Sequence, residues 1–151
     1  MDVFLWRHAD TLTGVSDFER ELSPVGHQKA RKTAEWFREH VPAFASMTGL
    51  RILVSPALRT RQTVAHFCED ENVLELCPPL YENSSPAEIL AIIGWPSITL
   101  PTLVVGHQPM MGMLADRLLA GTPHPPSFRT GAFWWLQLEP GKNQLVQVFE
   151  P

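Results

Sequence analysis

Residues 1–10, MDVFLWRHAD, set a short apolar run directly against a cation and an imidazole. Val3 to Trp6 is continuously apolar, which is typical of a strand buried on both faces. Arg7 and His8 follow without an intervening turn. In α/β folds, ligands bind beyond the carboxyl ends of the strands. The stretch therefore predicts a buried strand that delivers two polar side chains to a ligand site.

Two later segments repeat this arrangement. Residues 52–54, which follow Arg51 in the predicted strand 51–54, and residues 103–105 are short apolar runs, and a helical pattern follows each of them. Ser55-Pro56 and Pro109 are placed to start those helices, because serine caps helices and proline suits the first helical position. Three buried strands, each followed by a helix, predict a three-layer α/β sandwich with a mostly parallel central sheet flanked by helices.

The rest of the chain supplies the flanking elements. Two further helices are predicted at residues 24–40 and 86–93, with Ser23 and Ser85 as their caps. Two closing strands are predicted at residues 132–138 and 144–149. The turn at residues 140–143 joins the last two strands as a hairpin, which we expect to add antiparallel pairing at one side of the sheet. There is no repeat or linker, so we expect residues 1–151 to form a single domain.

Composition excludes several classes of partner. The net charge of −4 leaves no basic footprint for nucleic acid and no polybasic patch for a membrane. No apolar stretch approaches the length of a membrane span, and the start lacks the pattern of a signal peptide. We therefore expect a cytoplasmic protein without a nucleic-acid or membrane partner. In that reducing compartment we expect Cys68 and Cys77 to be free thiols.

The ends of the three buried strands carry the chemistry. In a parallel sheet, Arg7 and His8 would meet Arg59 and His107 at one edge, beside a helix N-terminus. Guanidinium groups bind phosphate oxygens in a bidentate manner, and an unprotonated imidazole can attack phosphorus. Nearby cations keep the imidazole neutral and offset the charge of a transferring phosphoryl group. Each segment alone is more often a solvated strand end or helix punctuation, so the prediction depends on the parallel sheet.

Four motifs, in order, resemble the signatures of the histidine phosphatase superfamily, which includes the phosphoglycerate mutase-like enzymes. They are LWRHAD at residues 5–10, RELSPVGHQKA at 20–30, LVSPALRTRQT at 53–63 and LVVGHQP at 103–109. Each motif is short, and together they span most of the first two thirds of the chain. The resemblance implies a phosphoglycerate mutase-like fold for this domain.

The resemblance also implies roles for individual residues. His8 matches the histidine that becomes transiently phosphorylated, and Arg7 and Arg59 match the arginines that bind phosphate. His107 matches the second histidine of the pocket. Arg20 lies where related proteins carry an arginine near the pocket, so it is either a weaker phosphate contact or a solvated loop residue. The family needs no cofactor, so we expect none.

The length of one segment indicates the branch of the family. Only 24 residues separate Glu82 from His107, and most of them are needed for a short helix. We therefore expect a minimal lid and an open pocket, which gives few contacts to a small metabolite but can admit a side chain of another protein. The short segment before His107 and the sequence of residues 121–138 together resemble the SixA-type phosphohistidine phosphatases. This resemblance implies a phosphohistidine protein as substrate.

Glu82 and the remaining histidines leave alternatives open. The superfamily often uses a glutamate as general acid, whereas SixA-type proteins often lack one here, so Glu82 is either a proton donor or a solvated carboxylate. No histidine lies at metal-ligand spacing from others, so we expect no metal. A phosphatase of small phosphoesters and a non-catalytic module that binds phosphoproteins are the alternative functions. The sequence leaves the oligomeric state open.

Overall fold

The computed structural model describes residues 1–41, 49–82, 84–120 and 124–151. Residues 121–123, the start of the stretch compared above with SixA-type proteins, lie outside these ranges. The described strands are β1 (Asp2–Arg7), β2 (Arg51–Val54), β3 (Leu74–Leu76), β4 (Thr102–Gly106), β5 (Phe133–Glu139) and β6 (Lys142–Phe149). The described α-helices are α1 (Pro24–His40), α2 (Leu58–Ala65), α3 (Pro86–Ile93) and α4 (Met110–Leu118).

The strands form one sheet in the order β3-β2-β4-β1-β5-β6. The first four strands are parallel, and the hairpin β5–β6 pairs antiparallel with β1 at one side. The predicted mixed sheet is thus confirmed. The sequence reasoning missed β3, because an edge strand of three residues is too short for a hydrophobic period to be visible.

The register of the parallel strands brings their ends to one edge. Arg7 pairs with Gly106, and Val54 pairs with Val105. The residues that follow β1, β2 and β4 therefore leave the sheet side by side. The side chains that follow the three strands can meet at one site only because the strands are aligned in this way.

The core consists of two layers, one on each face of the sheet. Val3 and Leu5 of β1 face the layer formed with α3 and α4, whereas Phe4 and Trp6 face α1 and α2. All four side chains are fully buried. Because burial of each large apolar side chain contributes roughly 1.5–3 kcal/mol, β1 anchors both layers and holds its carboxyl end in place.

Two helix starts agree with the predicted serine caps. The Ser23 hydroxyl accepts a hydrogen bond from the Gly26 amide, and α1 spans the predicted residues. The Ser85 hydroxyl caps α3 in the same way. The prediction for α2 was wrong: this helix begins at Leu58, and Ser55 does not cap it. The Ser55 side chain instead contacts His107, as described below.

Cys68 and Cys77 are free thiols, as predicted, and they are buried in opposite layers of the core. The sheet separates them. Among the helices that the structure describes, none combines the length and the apolar character needed to cross a membrane.

Candidate active site

Two histidines lie next to each other beyond the ends of β1 and β4. The ring centroids of His8 and His107 are 5.3 Å apart. The His8 amide donates to the Gly106 carbonyl at 3.0 Å, and the Gly131 amide donates to the His8 carbonyl at 2.9 Å. The backbone around His8 is thus fixed on both sides, which holds its imidazole in one place.

A backbone carbonyl determines the tautomer of His8. Its Nδ1 atom lies 2.7 Å from the Ala9 carbonyl oxygen. A carbonyl can only accept a hydrogen bond, so Nδ1 carries the proton and donates it. The lone pair of the neutral ring is then on Nε2. Nε2 is therefore the ring atom of His8 whose lone pair is available to form a bond.

The surroundings of His8 keep it neutral. Burial lowers its pKa to about 4, and the positive charges of Arg59, Arg7 and Arg20 act in the same direction. The hydrogen bond to Ala9 opposes these effects but does not outweigh them. At neutral pH the imidazole is therefore neutral and unprotonated on Nε2.

His107 is held by a hydroxyl group. Its Nε2 atom lies 2.7 Å from Ser55 Oγ, whereas its buried Nδ1 atom has no hydrogen-bond partner in the part of the chain that the structure describes. Burial lowers the pKa of His107 to about 3, helped by the charge of Arg59 and by the electrostatic effect of the neighbouring His8 ring. When Ser55 donates to Nε2, the ring proton lies on Nδ1, which is then a buried donor without a partner among the described residues.

Arg59 lies in the first turn of α2 with its side chain only 8% exposed. Its Nη1 donates to the Asp17 carbonyl at 2.6 Å and its Nη2 to the Asp17 carboxylate at 3.1 Å. These contacts use two of the five guanidinium N–H groups, and the others have no partner among the residues that the structure describes. Asp17 thereby orients Arg59.

The Arg7 guanidinium is held by a backbone carbonyl. Its Nη1 donates to the Phe128 carbonyl at 2.6 Å. Its Nε is buried and has no partner among the described residues. Buried polar atoms in proteins are nearly always hydrogen-bonded. Arg7 Nε and His107 Nδ1 are thus two buried nitrogen atoms without a partner among the described residues, on the neighbouring ends of β1 and β4.

Arg20 is held mainly by its own loop. It donates to the Leu12 carbonyl and to the Asp17 carboxylate, both at 3.3 Å, and to the Thr11 hydroxyl. Its charge contributes to lowering the pKa of His8, so it lies within electrostatic range of that imidazole. The structure therefore places Arg20 near the site.

A cavity of about 660 Å³ opens beside these groups. Its lining residues are Asp17, Arg59, Leu80, Tyr81, Glu82, Ser84, His107, Gln108, Pro109, Met110 and Met113. His8 and Arg7 are not among them, because His8 is only 8% exposed and packs against His107. Glu82 lines the cavity. Its predicted role as a proton donor stays a prediction.

Helix α3 takes up much of the segment between Glu82 and His107. Its residues Ile89, Leu90 and Ile93 are buried in the core layer that also contains α4. They are therefore used for packing rather than for a roof over the cavity. This agrees with the minimal lid expected from the length of the segment.

Three residues of the site were not found from the sequence. Ser55 was interpreted as a helix cap, although it lies inside a quoted motif. Asp17 and Tyr81 are joined by a hydrogen bond of 3.1 Å from the Tyr81 hydroxyl to the Asp17 carboxylate, across 64 positions of sequence. The only signals were their positions near Arg20 and Glu82, respectively. Among the described residues, no group of three or more His, Cys, Asp or Glu side chains could hold a metal ion.

Comparisons with known proteins agree with this geometry. The family model of the histidine phosphatase superfamily, branch 1, matches residues 3–84. A curated relative, the phosphohistidine phosphatase SixA homolog of Haemophilus influenzae, is 26% identical over 155 aligned positions, which cover 97% of this chain and 93% of that protein.

Solved structures are similar over nearly the whole chain. The protein histidine phosphatase SixA complexed with tungstate is 27% identical, with a TM-score of 0.74 over 99% of this chain and 97% of that one. A proposed phosphohistidine phosphatase SixA from Agrobacterium tumefaciens has a TM-score of 0.81 over 99% of this chain and 97% of that one, and its identity of 23% supports the fold alone. Because the family model covers more than half of the residues, the chain belongs to branch 1 of the histidine phosphatase superfamily and is a phosphatase.

Proposed function

We propose that this protein removes phosphoryl groups from phosphohistidine side chains of other proteins, through a covalent phosphohistidine at His8. The observation that carries the proposal is the pairing of His8 with His107 at 5.3 Å, with a neutral His8 whose Nε2 lone pair is free. The relatives named as phosphohistidine phosphatases support the substrate class. No cofactor is required for this chemistry.

The first step transfers the phosphoryl group to the enzyme. The lone pair of His8 Nε2 forms a bond to phosphorus, and the bond from phosphorus to the substrate nitrogen breaks. The electron pair of that bond stays on the substrate imidazole. The Nδ1–H of His8 keeps its hydrogen bond to the Ala9 carbonyl, which stabilises the positive charge that develops on the phosphorylated ring.

The cations and the second histidine stabilise the transferring group. Phosphoryl transfer depends mainly on positioning and electrostatic stabilisation, so a few well-placed donors are sufficient. Arg59 keeps free N–H groups beyond those that bind Asp17, and Arg7 Nε and His107 Nδ1 are buried without partners among the described residues. In this proposal these groups bind the phosphoryl oxygens, with Arg20 as a more distant contact.

The second step restores the enzyme. Water attacks phosphorus, the bond to His8 Nε2 breaks, and its electron pair returns to the ring. The hydroxyl of the water and its second proton both leave with inorganic phosphate. His8 is thus regenerated as the neutral Nδ1–H tautomer, ready for another cycle.

The open cavity favours a protein substrate over a small metabolite. It has a volume of about 660 Å³, and little of the chain between Glu82 and His107 is available to cover it. A small free phosphoester would be enclosed on few sides, which limits its binding energy. A side chain carried by a partner protein obtains the remaining binding energy from the surface around the cavity.

The test compares substrates and variants side by side. We expect the wild-type protein to hydrolyse a phosphohistidine protein faster, in kcat/KM, than a panel of sugar and nucleotide phosphates. His8→Ala should be inactive, whereas His40→Ala, which changes an exposed histidine of α1, should retain wild-type rates. Rapid quenching with a labelled phosphohistidine donor should leave label on His8.

Three outcomes would contradict the proposal. Activity of His8→Ala would remove the covalent intermediate. Faster turnover of the small phosphoesters would indicate a metabolite phosphatase instead. Tight binding of phosphoproteins without any hydrolysis would indicate a binding module.

A further inference from the structure

Asp17 was not predicted to belong to the site, yet it lies among the phosphate-binding residues. It begins the single-turn 3-10 helix Asp17–Glu19, in the loop between β1 and α1. Its carboxylate accepts hydrogen bonds from Arg59 Nη2 and the Tyr81 hydroxyl, both at 3.1 Å, and from Arg20 Nη1 at 3.3 Å. Its side chain remains 54% exposed, and it lines the same cavity as Arg59 and His107.

This carboxylate is ionised at neutral pH. Partial burial raises its pKa, but the charge of Arg59 and the hydrogen bonds from Arg59 and Tyr81 outweigh that effect and lower the pKa overall. The negative charge of Asp17 also acts on His107, whose pKa it raises against the larger effect of burial. A fixed negative charge is therefore felt at the reacting end of the cavity.

The negative charge of Asp17 disfavours the binding of a phosphoryl group that has no hydrogen-bond donor or positive charge next to it. Like charges at short range repel, and a carboxylate beside Arg59 reduces the positive potential that an anion experiences. Holding Arg59 in place explains the contacts with the guanidinium. It does not explain why the Asp17 side chain is 54% exposed and lines the cavity. A substrate that brings a hydrogen-bond donor or a positive charge next to its phosphoryl group would gain from this arrangement.

Phosphohistidine has that property. We propose that Asp17 determines specificity for an imidazole leaving group, by accepting a hydrogen bond from the ring N–H of the phosphorylated substrate histidine. This inference rests on the proposed function, whose substrate class it explains. The N–H belongs to the ring nitrogen that is not bonded to phosphorus. A carboxylate facing it favours the protonated, cationic ring.

The protonation state of the substrate ring decides how easily it leaves. When the distal nitrogen is protonated, cleavage of the P–N bond puts the electron pair on the other nitrogen and releases a neutral imidazole. When the distal nitrogen is unprotonated, the same step releases an imidazolate anion, which is far less stable. Asp17 thus assists the reaction without donating a proton. The substrate supplies its own proton, and Asp17 holds it on the ring.

Phosphoesters gain nothing from this contact. Their oxygen leaving group carries no N–H for Asp17, and an ionised carboxylate cannot protonate a departing alkoxide. Further phosphate or carboxylate groups on a metabolite would be repelled by it. The same residue therefore favours one class of substrate and disfavours the other.

The experiment compares Asp17→Asn with wild type on two substrates, a phosphohistidine peptide and p-nitrophenyl phosphate. The nitrophenolate ion leaves without protonation, so its release does not depend on Asp17. Asparagine keeps an oxygen that can accept from Arg59, and any loss through Arg59 affects both substrates equally. We expect kcat/KM for the peptide to fall about tenfold relative to that for the aryl phosphate, which corresponds to the loss of one charge-assisted hydrogen bond.

Two further measurements separate this role from a structural one. The alkaline limb of the pH profile with the peptide should move to lower pH in Asp17→Asn, because the substrate ring is no longer held in its protonated form. Inhibition by inorganic phosphate measures any change at Arg59 by itself. Glu19→Gln is the matched control: it removes the same charge from the same turn, where Glu19 accepts from Ser16, and should leave the substrate ratio unchanged.

The outcomes distinguish this inference from the proposed function. A wild-type protein that hydrolyses the peptide, with an Asp17→Asn variant that loses activity equally on both substrates, would overturn the role of Asp17 alone. An alkaline limb of the pH profile that stays in place in Asp17→Asn would also overturn the role of Asp17 alone. A wild-type protein that hydrolyses p-nitrophenyl phosphate but not the peptide would overturn the substrate class, and this inference with it.

Discussion

The buried neutral state of His8 should make the folded protein sensitive to acid. His8 has an ordinary pKa of 6.5, which applies to the unfolded chain, and a pKa of about 4 in the folded state. Between these values the unfolded state binds more protons than the folded state. The free energy of unfolding therefore rises with pH across this window and falls as the pH is lowered from about 6.5 to about 4.

The size of the effect follows from the difference between the two pKa values. Integrating the difference in bound protons, His8 alone should lower the free energy of unfolding by about 2 kcal/mol at pH 5 and by about 3 kcal/mol at pH 4. His107, whose pKa is lowered to about 3, acts in the same direction. These losses are a large fraction of the typical stability of a domain, about 5–15 kcal/mol.

The assay is urea unfolding of wild type and His8→Asn at a series of pH values from about 7.5 to 4. Asparagine is close to imidazole in polarity but does not titrate, so the variant lacks the contribution of His8 and retains those of all other groups. Between pH 7.5 and pH 4, we expect the free energy of unfolding of the wild type to fall by about 3 kcal/mol more than that of the variant. Parallel curves for the two proteins would refute the buried neutral state of His8.

Three further changes have expected outcomes. Arg59→Lys should lower kcat/KM about 100-fold and weaken inhibition by inorganic phosphate, because a single ammonium group cannot replace the guanidinium donors; unchanged inhibition would argue against phosphate binding by Arg59. Ser55→Ala should lower kcat about tenfold with KM nearly constant, since it removes the 2.7 Å contact that orients His107; a wild-type kcat would exclude that role. Gly26→Ala should lower the thermal midpoint and cost about 2 kcal/mol or more, because the new Cβ would lie 2.0 Å from the Asp10 carbonyl oxygen; a wild-type midpoint in thermal unfolding would contradict this close approach.

The local elements could be predicted because their signals are local. The apolar run at residues 3–6 and the serine before α1 each act within a few positions of the chain, through burial and capping. Those predictions agree with the structure. The start of α2 was mispredicted because the Ser55 hydroxyl contacts the distant His107 at 2.7 Å. Its contact with the Ala57 amide at 3.4 Å lies before the helix, which begins at Leu58 without a side-chain cap.

The candidate site likewise combines features that are visible in the sequence with contacts that form only in the folded protein. The residue types at the strand ends, two histidines and two arginines, were visible as motifs in the chain. The tautomer of His8, the position of Ser55 and the location of Asp17 next to Tyr81 were not. Each of these depends on a hydrogen bond whose geometry or partner is fixed only after folding. Contacts of this kind leave no spacing pattern in the sequence.

The sequence by itself determined which groups are available: buried strands that end in polar residues, helices that begin at serine and proline, and the motifs of one superfamily. The tertiary structure alone decided how these groups act on each other. The parallel register of β1, β2 and β4 brings the strand ends to one edge, burial makes the two imidazoles neutral, and Asp17 contacts Arg59 across 42 positions of sequence. The physical reason is that hydrophobic periodicity and capping act locally along the chain, whereas pKa values and charge–charge contacts depend on distances that only packing sets.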